Sequence, residues 1–176
     1  TEDRVERNQK LFKQRALVEA FGLADRERLD DDQRVLELYE TRISVLRRPI
    51  VDPRTATVFN DPNRPNDAFR RCYRAVDEGG GLVGYALPVW GTGFWARIDG
   101  YLAVNPDATE VLGIVFLQHQ ETPGLGGRIT EADWREQFEG LTVSPPDEDR
   151  KWLYIGAERP GSRGRRVDAI TGATGT

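Results

Sequence analysis

The segments LVGYALPVW (residues 82–90), ARIDGYLAV (96–104) and VLGIVFLQ (111–118) follow one another with short turns between them. Each segment is rich in Val, Ile, Leu, Tyr and Trp, the residue types that favour β-strands. The turns carry Gly-Thr-Gly and Asn-Pro-Asp sequences, which are typical of tight chain reversals. Because short turns join antiparallel neighbours, the three segments predict an antiparallel sheet.

The sequence before this predicted sheet has helical periodicity. Residues 3–21 gather apolar side chains on one face and charged ones on the other, and Gly22 suits the left-handed position that ends a helix. The acidic run 30–32 predicts the start of a second helix, because carboxylates stabilise a helix N-terminus. Apolar residues then recur at helical spacing as far as Leu46, and Pro49 closes the pattern.

Shorter elements flank the sheet segment on both sides. Residues 55–60 and 68–76 predict additional strands, and residues 152–157 predict a last short one. Thr130 is predicted to cap a helix that runs to Gly140, where glycine ends it. Helices, strands, one helix and a strand in this order predict an α+β fold with a single domain.

The composition sets limits on the class of protein. A chain of 176 residues is long enough to bury a core as one domain, which we divide into a helical segment, 1–53, and an α+β body, 54–176. The net charge of −4 argues against a nucleic-acid partner, which requires clustered positive charge. No apolar run approaches the roughly 20 residues that cross a bilayer. Because the chain has no methionine, we expect it to be a piece of a longer protein.

The inventory of reactive residues argues against hydrolytic and metal sites. His119 is the single histidine and Cys72 the single cysteine, and they lie in different segments. The chain therefore offers no nucleophile with a base and an orienting group, and we predict that Cys72 packs as a small hydrophobe. A conventional zinc site needs three or four Cys, His or carboxylate ligands. We predict no catalytic residue and no metal ligand.

Two short motifs remain that suit ligand binding. HQETPGLG, residues 119–126, follows the third sheet segment, and its glycines let backbone donors approach a planar ligand closely. The motif lacks the Lys-Ser/Thr pair of a phosphate-binding loop, so a simple tight turn is the alternative interpretation. DAITGAT, residues 168–174, taken alone is also typical of a polar turn. Composition leaves open whether Trp90, Trp95 and Tyr101 form sheet core or a stacking platform.

Together and in this order, the two motifs resemble the FMN-binding domain family. That family occurs in the C subunit of the sodium-translocating NADH:quinone oxidoreductase and in the G subunit of the related Rnf complex. Residues 8–23, 100–104 and 134–140 also resemble the oxidoreductase protein, so the similarity spans most of the chain. The paired motifs are more specific than either one alone.

The resemblance implies that FMN is joined through its phosphate to the hydroxyl of Thr174. In the family a separate flavin transferase forms this ester from FAD with magnesium. The resemblance also implies that two nearby residues, Asp168 and Thr171, orient the Thr174 hydroxyl or are recognised by the transferase. The other residues implied at the flavin site are Gly172, Ala173, Glu121, Thr122, Gly124 and Leu125.

The resemblance also implies a role and a location. We expect an electron-relaying domain that works with the other subunits of a membrane complex and shows no NADH turnover by itself. An N-terminal membrane helix, absent from this sequence, is expected to hold the domain at the periplasmic face of the bacterial cytoplasmic membrane. Two alternatives stay open. One is the equivalent FMN domain of an Rnf complex, a ferredoxin:NAD oxidoreductase, and the other is an extracytoplasmic interaction module without flavin.

Overall fold

The computed structural model describes residues 2–49, 69–93, 95–143, 154–155, 166–167 and 170. The helices are α1 (Glu2–Ala20), α2 (Arg26–Leu29), α3 (Asp32–Arg42) and α4 (Ala132–Arg135), with 3₁₀ turns at Gly126–Thr130 and Glu136–Phe138. The strands are β1 (Ile43–Pro49), β2 (Phe69–Val76), β3 (Leu82–Thr92), β4 (Arg97–Val104), β5 (Val111–Gln118), β6 (Tyr154–Ile155) and β7 (Arg166–Val167).

The first five strands form one antiparallel sheet in the order of the chain, β1-β2-β3-β4-β5. The α+β fold, the three central strands and the strand predicted at 68–76 are therefore confirmed. Strands β6 and β7 make a separate parallel pair, and β6 falls within the strand predicted at 152–157. The strand predicted at 55–60 lies outside the described residues.

The end of α1 follows the predicted glycine motif. Gly22 adopts a φ of +65°, a conformation that side chains with a Cβ rarely take. The backbone N–H of Gly22 donates to the Glu19 carbonyl at 2.9 Å, and that of Leu23 donates to the Val18 carbonyl at 3.0 Å. These two bonds define a Schellman motif, which satisfies carbonyls that the helix itself leaves without partners.

The second predicted helix is too long. Asp31 caps α3 as expected, since its side chain accepts from the backbone N–H groups of Gln33 and Arg34. The helix ends at Arg42, however, and residues from Ile43 onward pair with β2. Ile43 is β-branched, and pairing buries its side chain against the core, which outweighs the helical spacing of the apolar residues. The segment 1–53 is thus not helical throughout, because it supplies a strand to the sheet.

The helix predicted from Thr130 to Gly140 is also wrong in its bounds. The Thr130 hydroxyl donates to the Gly127 carbonyl at 3.0 Å, and Glu131 takes the N-cap position of α4 instead. The helix lasts one turn and continues as a 3₁₀ turn. Gly140 ends this segment with a φ of +75°, as predicted.

The core lies on both faces of the sheet. Helices α1 and α3 cover one face, where fully buried Leu17, Val18 and Val35 belong to the same cluster as alanines of the central strands. A second cluster joins Val111 of β5 to three residues that follow β5 in the chain, Phe138, Leu141 and Val167. Helix α1 approaches β5 closely, because a Cβ at Gly113 would lie 2.7 Å from the Ala20 carbonyl oxygen. Glycine at this position sets the distance between helix and sheet.

A pair of tyrosines is buried under the helices. The rings of Tyr73 and Tyr101 meet edge to face with centroids 5.3 Å apart, and their hydroxyl oxygens lie 3.5 Å apart. Burial raises the pKa of Tyr101 above its usual value of 10.0, and the hydrogen bond with Tyr73 raises it further. The Tyr101 phenol therefore stays protonated in the folded chain at pH values where it ionises in the unfolded one.

This difference predicts a loss of stability in alkali. Below about pH 10 both states keep the Tyr101 proton, and above it the unfolded state releases a proton that the folded state retains. The free energy of unfolding of the wild type should then fall more steeply than that of Tyr101→Phe, by up to roughly 1.4 kcal/mol per pH unit. Urea unfolding at a series of alkaline pH values measures the two slopes, with Tyr85→Phe as the matched control. Equal slopes for the wild type and Tyr101→Phe would contradict this account.

Candidate functional site

The first predicted motif meets the turn between β3 and β4. The indole Nε1 of Trp95 donates to the Thr122 hydroxyl oxygen at 3.2 Å, across 27 positions of the chain. The backbone N–H of Trp95 donates to Glu121 Oε1 at 3.4 Å. The register of β4 and β5 explains this contact, because Asp99 pairs with Gln118 and the chain leaving β5 then runs beside the turn that precedes β4.

The motif loop is closed by its own backbone. The Thr122 carbonyl accepts from the N–H groups of both Leu125 and Gly127, at 3.1 and 3.0 Å. Gly124 lies between Thr122 and Leu125 with a φ of +74°, which makes glycine the suitable residue for this turn. The backbone N–H of Glu121 donates to Nδ1 of His119 at 3.3 Å. The tight-turn interpretation is therefore correct for the backbone. These hydrogen bonds hold the residues of the loop in a defined arrangement.

The exposure of the aromatic residues separates core from surface. Tyr101 is 5% exposed and belongs to the core, whereas Trp90 is 51% and Trp95 65% exposed. Leu125, at the tip of the motif loop, is 43% exposed. Large apolar side chains are usually hidden, so an exposed indole bonded to a loop that also exposes a leucine marks a surface suited to a planar ligand.

A second aromatic side chain stands on the same hairpin. The guanidinium of Arg97 lies 4.8 Å from the centroid of the Trp90 ring, and it is held by Asp99 through Nε at 2.7 Å. A cation over the ring face adds electrostatic attraction to the packing. This contact favours one orientation of the Trp90 ring near the end of β3.

The structure brings together the part of the predicted site that it describes. Glu121, Thr122, Gly124 and Leu125 lie on one loop, and the loop contacts Trp95, which the sequence alone left between two interpretations. Asp168, Thr171, Gly172, Ala173 and Thr174 lie outside the described residues. Next to them along the chain, Val167 and Ile170 are buried, and Val167 packs in the cluster of Phe138 and Leu141.

Two further features of the described residues concern metals and membranes. Within the described ranges, no group of three or more His, Cys, Asp or Glu side chains is placed to hold a metal ion. None of the helices in this part of the chain is long and apolar enough to cross a membrane.

Comparison with known proteins bears on the same region. Residues 93–176, which include Trp95 and both motifs, match the family model of the FMN-binding domain. This match confirms the predicted family resemblance. Curated relatives are the C subunits of Na(+)-translocating NADH-quinone reductases. The protein from Pasteurella multocida is 34% identical over 106 residues, which cover 60% of this chain and 40% of the relative.

A second relative and two solved structures extend the comparison. The corresponding protein from Haemophilus ducreyi is 33% identical over 128 residues, covering 70% of this chain and 49% of the relative. The chain thus spans less than half the length of these two relatives. NqrC from Shewanella oneidensis superposes with a TM-score of 0.68 at 24% identity, covering 91% of this chain and 82% of its own. The C subunit from Parabacteroides distasonis gives a TM-score of 0.69 at 18% identity, covering 98% and 86%. At these identities the two structures support the fold alone.

Proposed function

We propose that this chain is an electron-transfer flavoprotein domain that carries FMN covalently, through the flavin phosphate, on Thr174. The observation that carries the proposal is the contact of Trp95 with Thr122 inside the segment that matches the FMN-binding domain. That contact places an exposed aromatic face beside the glycine-rich motif, as binding of a planar ring requires.

The described residues fit a flavin ring. A Cβ added at Gly124 would have no atom within 4 Å, so the backbone there is open to a ligand. Trp95, which donates to Thr122, and Leu125 of the same loop are both exposed and offer apolar surface to such a ring. FMN would supply reversible uptake of electrons, while the chain binds the ring and limits its contact with water.

The ester at Thr174 has a physical advantage. A tethered cofactor is held at a local concentration that the linkage sets, so a carrier exposed to a dilute compartment does not lose it. In this proposal Asp168 and Thr171 orient the Thr174 hydroxyl or are recognised by the flavin transferase, and Gly172 and Ala173 complete the recognised sequence. The transferase, with FAD and magnesium, is a transient partner.

The curated relatives support a place in a membrane complex. Because they are C subunits of NADH-quinone reductases, we propose that this domain relays electrons within an oxidoreductase of that type. It would work beside the other subunits, at the periplasmic face of the cytoplasmic membrane. The isolated domain should not oxidise NADH. The equivalent protein of an Rnf complex remains the alternative with flavin, and an interaction module the alternative without it.

Co-expression of the protein with a flavin transferase tests the proposal. We expect a yellow protein whose flavin absorbance corresponds to one FMN per chain and persists after denaturation and gel filtration. Dithionite should bleach the absorbance and air should restore it. A colourless protein from cells in which a known substrate of the same transferase is flavinylated would contradict the proposal and favour the interaction module.

A further inference from the structure

The side chain of Glu121 lies between two backbone segments that are far apart in sequence. One is the turn between β3 and β4, and the other is the 3₁₀ turn that begins at Gly126. A Cβ at Gly126 would lie 2.6 Å from Glu121 Oε2 and 3.0 Å from Glu121 Cβ. A Cβ at Gly93 would overlap Glu121 Oε1 on the opposite side. Both glycines therefore leave room that the Glu121 side chain occupies.

The same carboxylate also binds Trp95. Oε1 accepts from the backbone N–H of Trp95, while the neighbouring Thr122 accepts from the indole of Trp95. Two consecutive residues thus bind one tryptophan, at its backbone and at its side chain. Because Trp95 is 65% exposed, burial does little to fix it, and contacts with the motif loop matter correspondingly more.

From this geometry we infer that Glu121 is a positioning residue, whose carboxylate fixes the Trp95 turn against the motif loop and thereby sets the face on which the flavin ring stacks. Its carboxylate is directed at the protein backbone and acts on the ring through Trp95. The link to the ring rests on the proposed function, whereas the hold on Trp95 does not require a flavin.

The first test uses the flavin-free protein. The indole N–H resonance of Trp95, assigned by its loss in Trp95→Phe, reports the bond to Thr122. In Glu121→Ala this resonance should shift and its exchange with water should accelerate by about tenfold, the factor expected for one weakened hydrogen bond. Glu121→Gln keeps the length and one acceptor oxygen, and should stay close to the wild type. Glu40→Ala, at an exposed position of α3, is the matched control.

A second variant reaches the same contact from the other side. The three atoms nearest to a Cβ at Gly126 all belong to Glu121, so Gly126→Ala should displace that side chain and shift the Trp95 resonance as well. Gly126→Ala combined with Glu121→Ala should cost less stability than the sum of the two single variants, because the Glu121 Oε2 atom that comes nearest to the added Cβ is then absent. Additive costs in urea unfolding would contradict the packing argument. The Trp95 resonance of Gly126→Ala alone remains informative if Glu121→Ala folds poorly.

The last test uses the flavinylated protein, with loading checked by intact mass. Stacking on an indole quenches flavin fluorescence, so Trp95→Ala should raise the emission several-fold at equal loading. Glu121→Ala should raise it toward the same level, and the double variant should add nothing further. If Trp95→Ala raises the emission and Glu121→Ala leaves it and the Trp95 resonance unchanged, the inference is overturned while the proposed function stands. If the wild type takes up no flavin, the proposed function fails and the resonance alone decides the inference.

Discussion

Thr174→Ala should abolish covalent flavin. After co-expression with a flavin transferase, the intact mass of the wild type should increase by one FMN less one water, and the variant should show no increase. The reason is that the ester needs a side-chain hydroxyl, and alanine removes the oxygen without adding bulk or charge. The effect should be all or none, because the alanine side chain has no oxygen with which to form the ester.

Thr176→Ala provides the control, because it removes a hydroxyl two residues away and should leave the mass increase intact. Peptide mapping of the wild type should place the FMN on the peptide that contains residue 174. Covalent FMN that persists in Thr174→Ala, or that maps to another residue, would show the assignment to be wrong.

Leu17→Ala should cause the largest loss of stability among single changes in α1. Leu17 is 1% exposed and packs in the cluster that joins the helices to the sheet. Removing a buried leucine side chain loses its transfer free energy and leaves a cavity, which together cost about 2–5 kcal/mol. Urea unfolding followed by circular dichroism measures the difference.

Leu36→Ala is the matched control, since Leu36 is 37% exposed on α3 and its truncation leaves the core intact. Its cost should stay well below that of Leu17→Ala. Similar losses for the two variants would mean that α1 does not anchor the fold by burial, and that the cluster described above contributes little to stability.

Elements with a strong local signal could be predicted from the sequence. Strand β5 has the predicted bounds, because its run of apolar and β-branched residues is flanked by turn sequences. The end of α1 is equally clear, since Gly22 has no Cβ and therefore tolerates the left-handed conformation there. In both cases the residues that decide the structure are adjacent in the chain.

The predicted boundaries are wrong where a hydrogen-bonding partner outside the predicted element determines the structure. Ile43 fits the helical spacing of α3, and only its pairing with Ala75 on β2 makes it the start of a strand. Thr130 has the sequence of a helix cap, but its hydroxyl is bound to the Gly127 carbonyl of the preceding turn. Helix and strand propensities of single residues differ by less than the free energy gained from such contacts. The spacing of apolar residues alone therefore predicts the wrong helix boundary.

The sequence by itself determined the chemistry that this chain offers: a threonine hydroxyl in an acidic Thr-Gly-Ala-Thr context, a glycine-rich loop, and no set of side chains for hydrolysis. It also determined the three central strands β3, β4 and β5, because their side chains favour extended backbone. Only the tertiary structure decided that Trp95 contacts the motif loop and that Tyr101 belongs to the core. The antiparallel register of β4 and β5 brings the turn that contains Trp95 beside the motif loop. No sequence pattern within the turn or within the loop encodes the distance between the two.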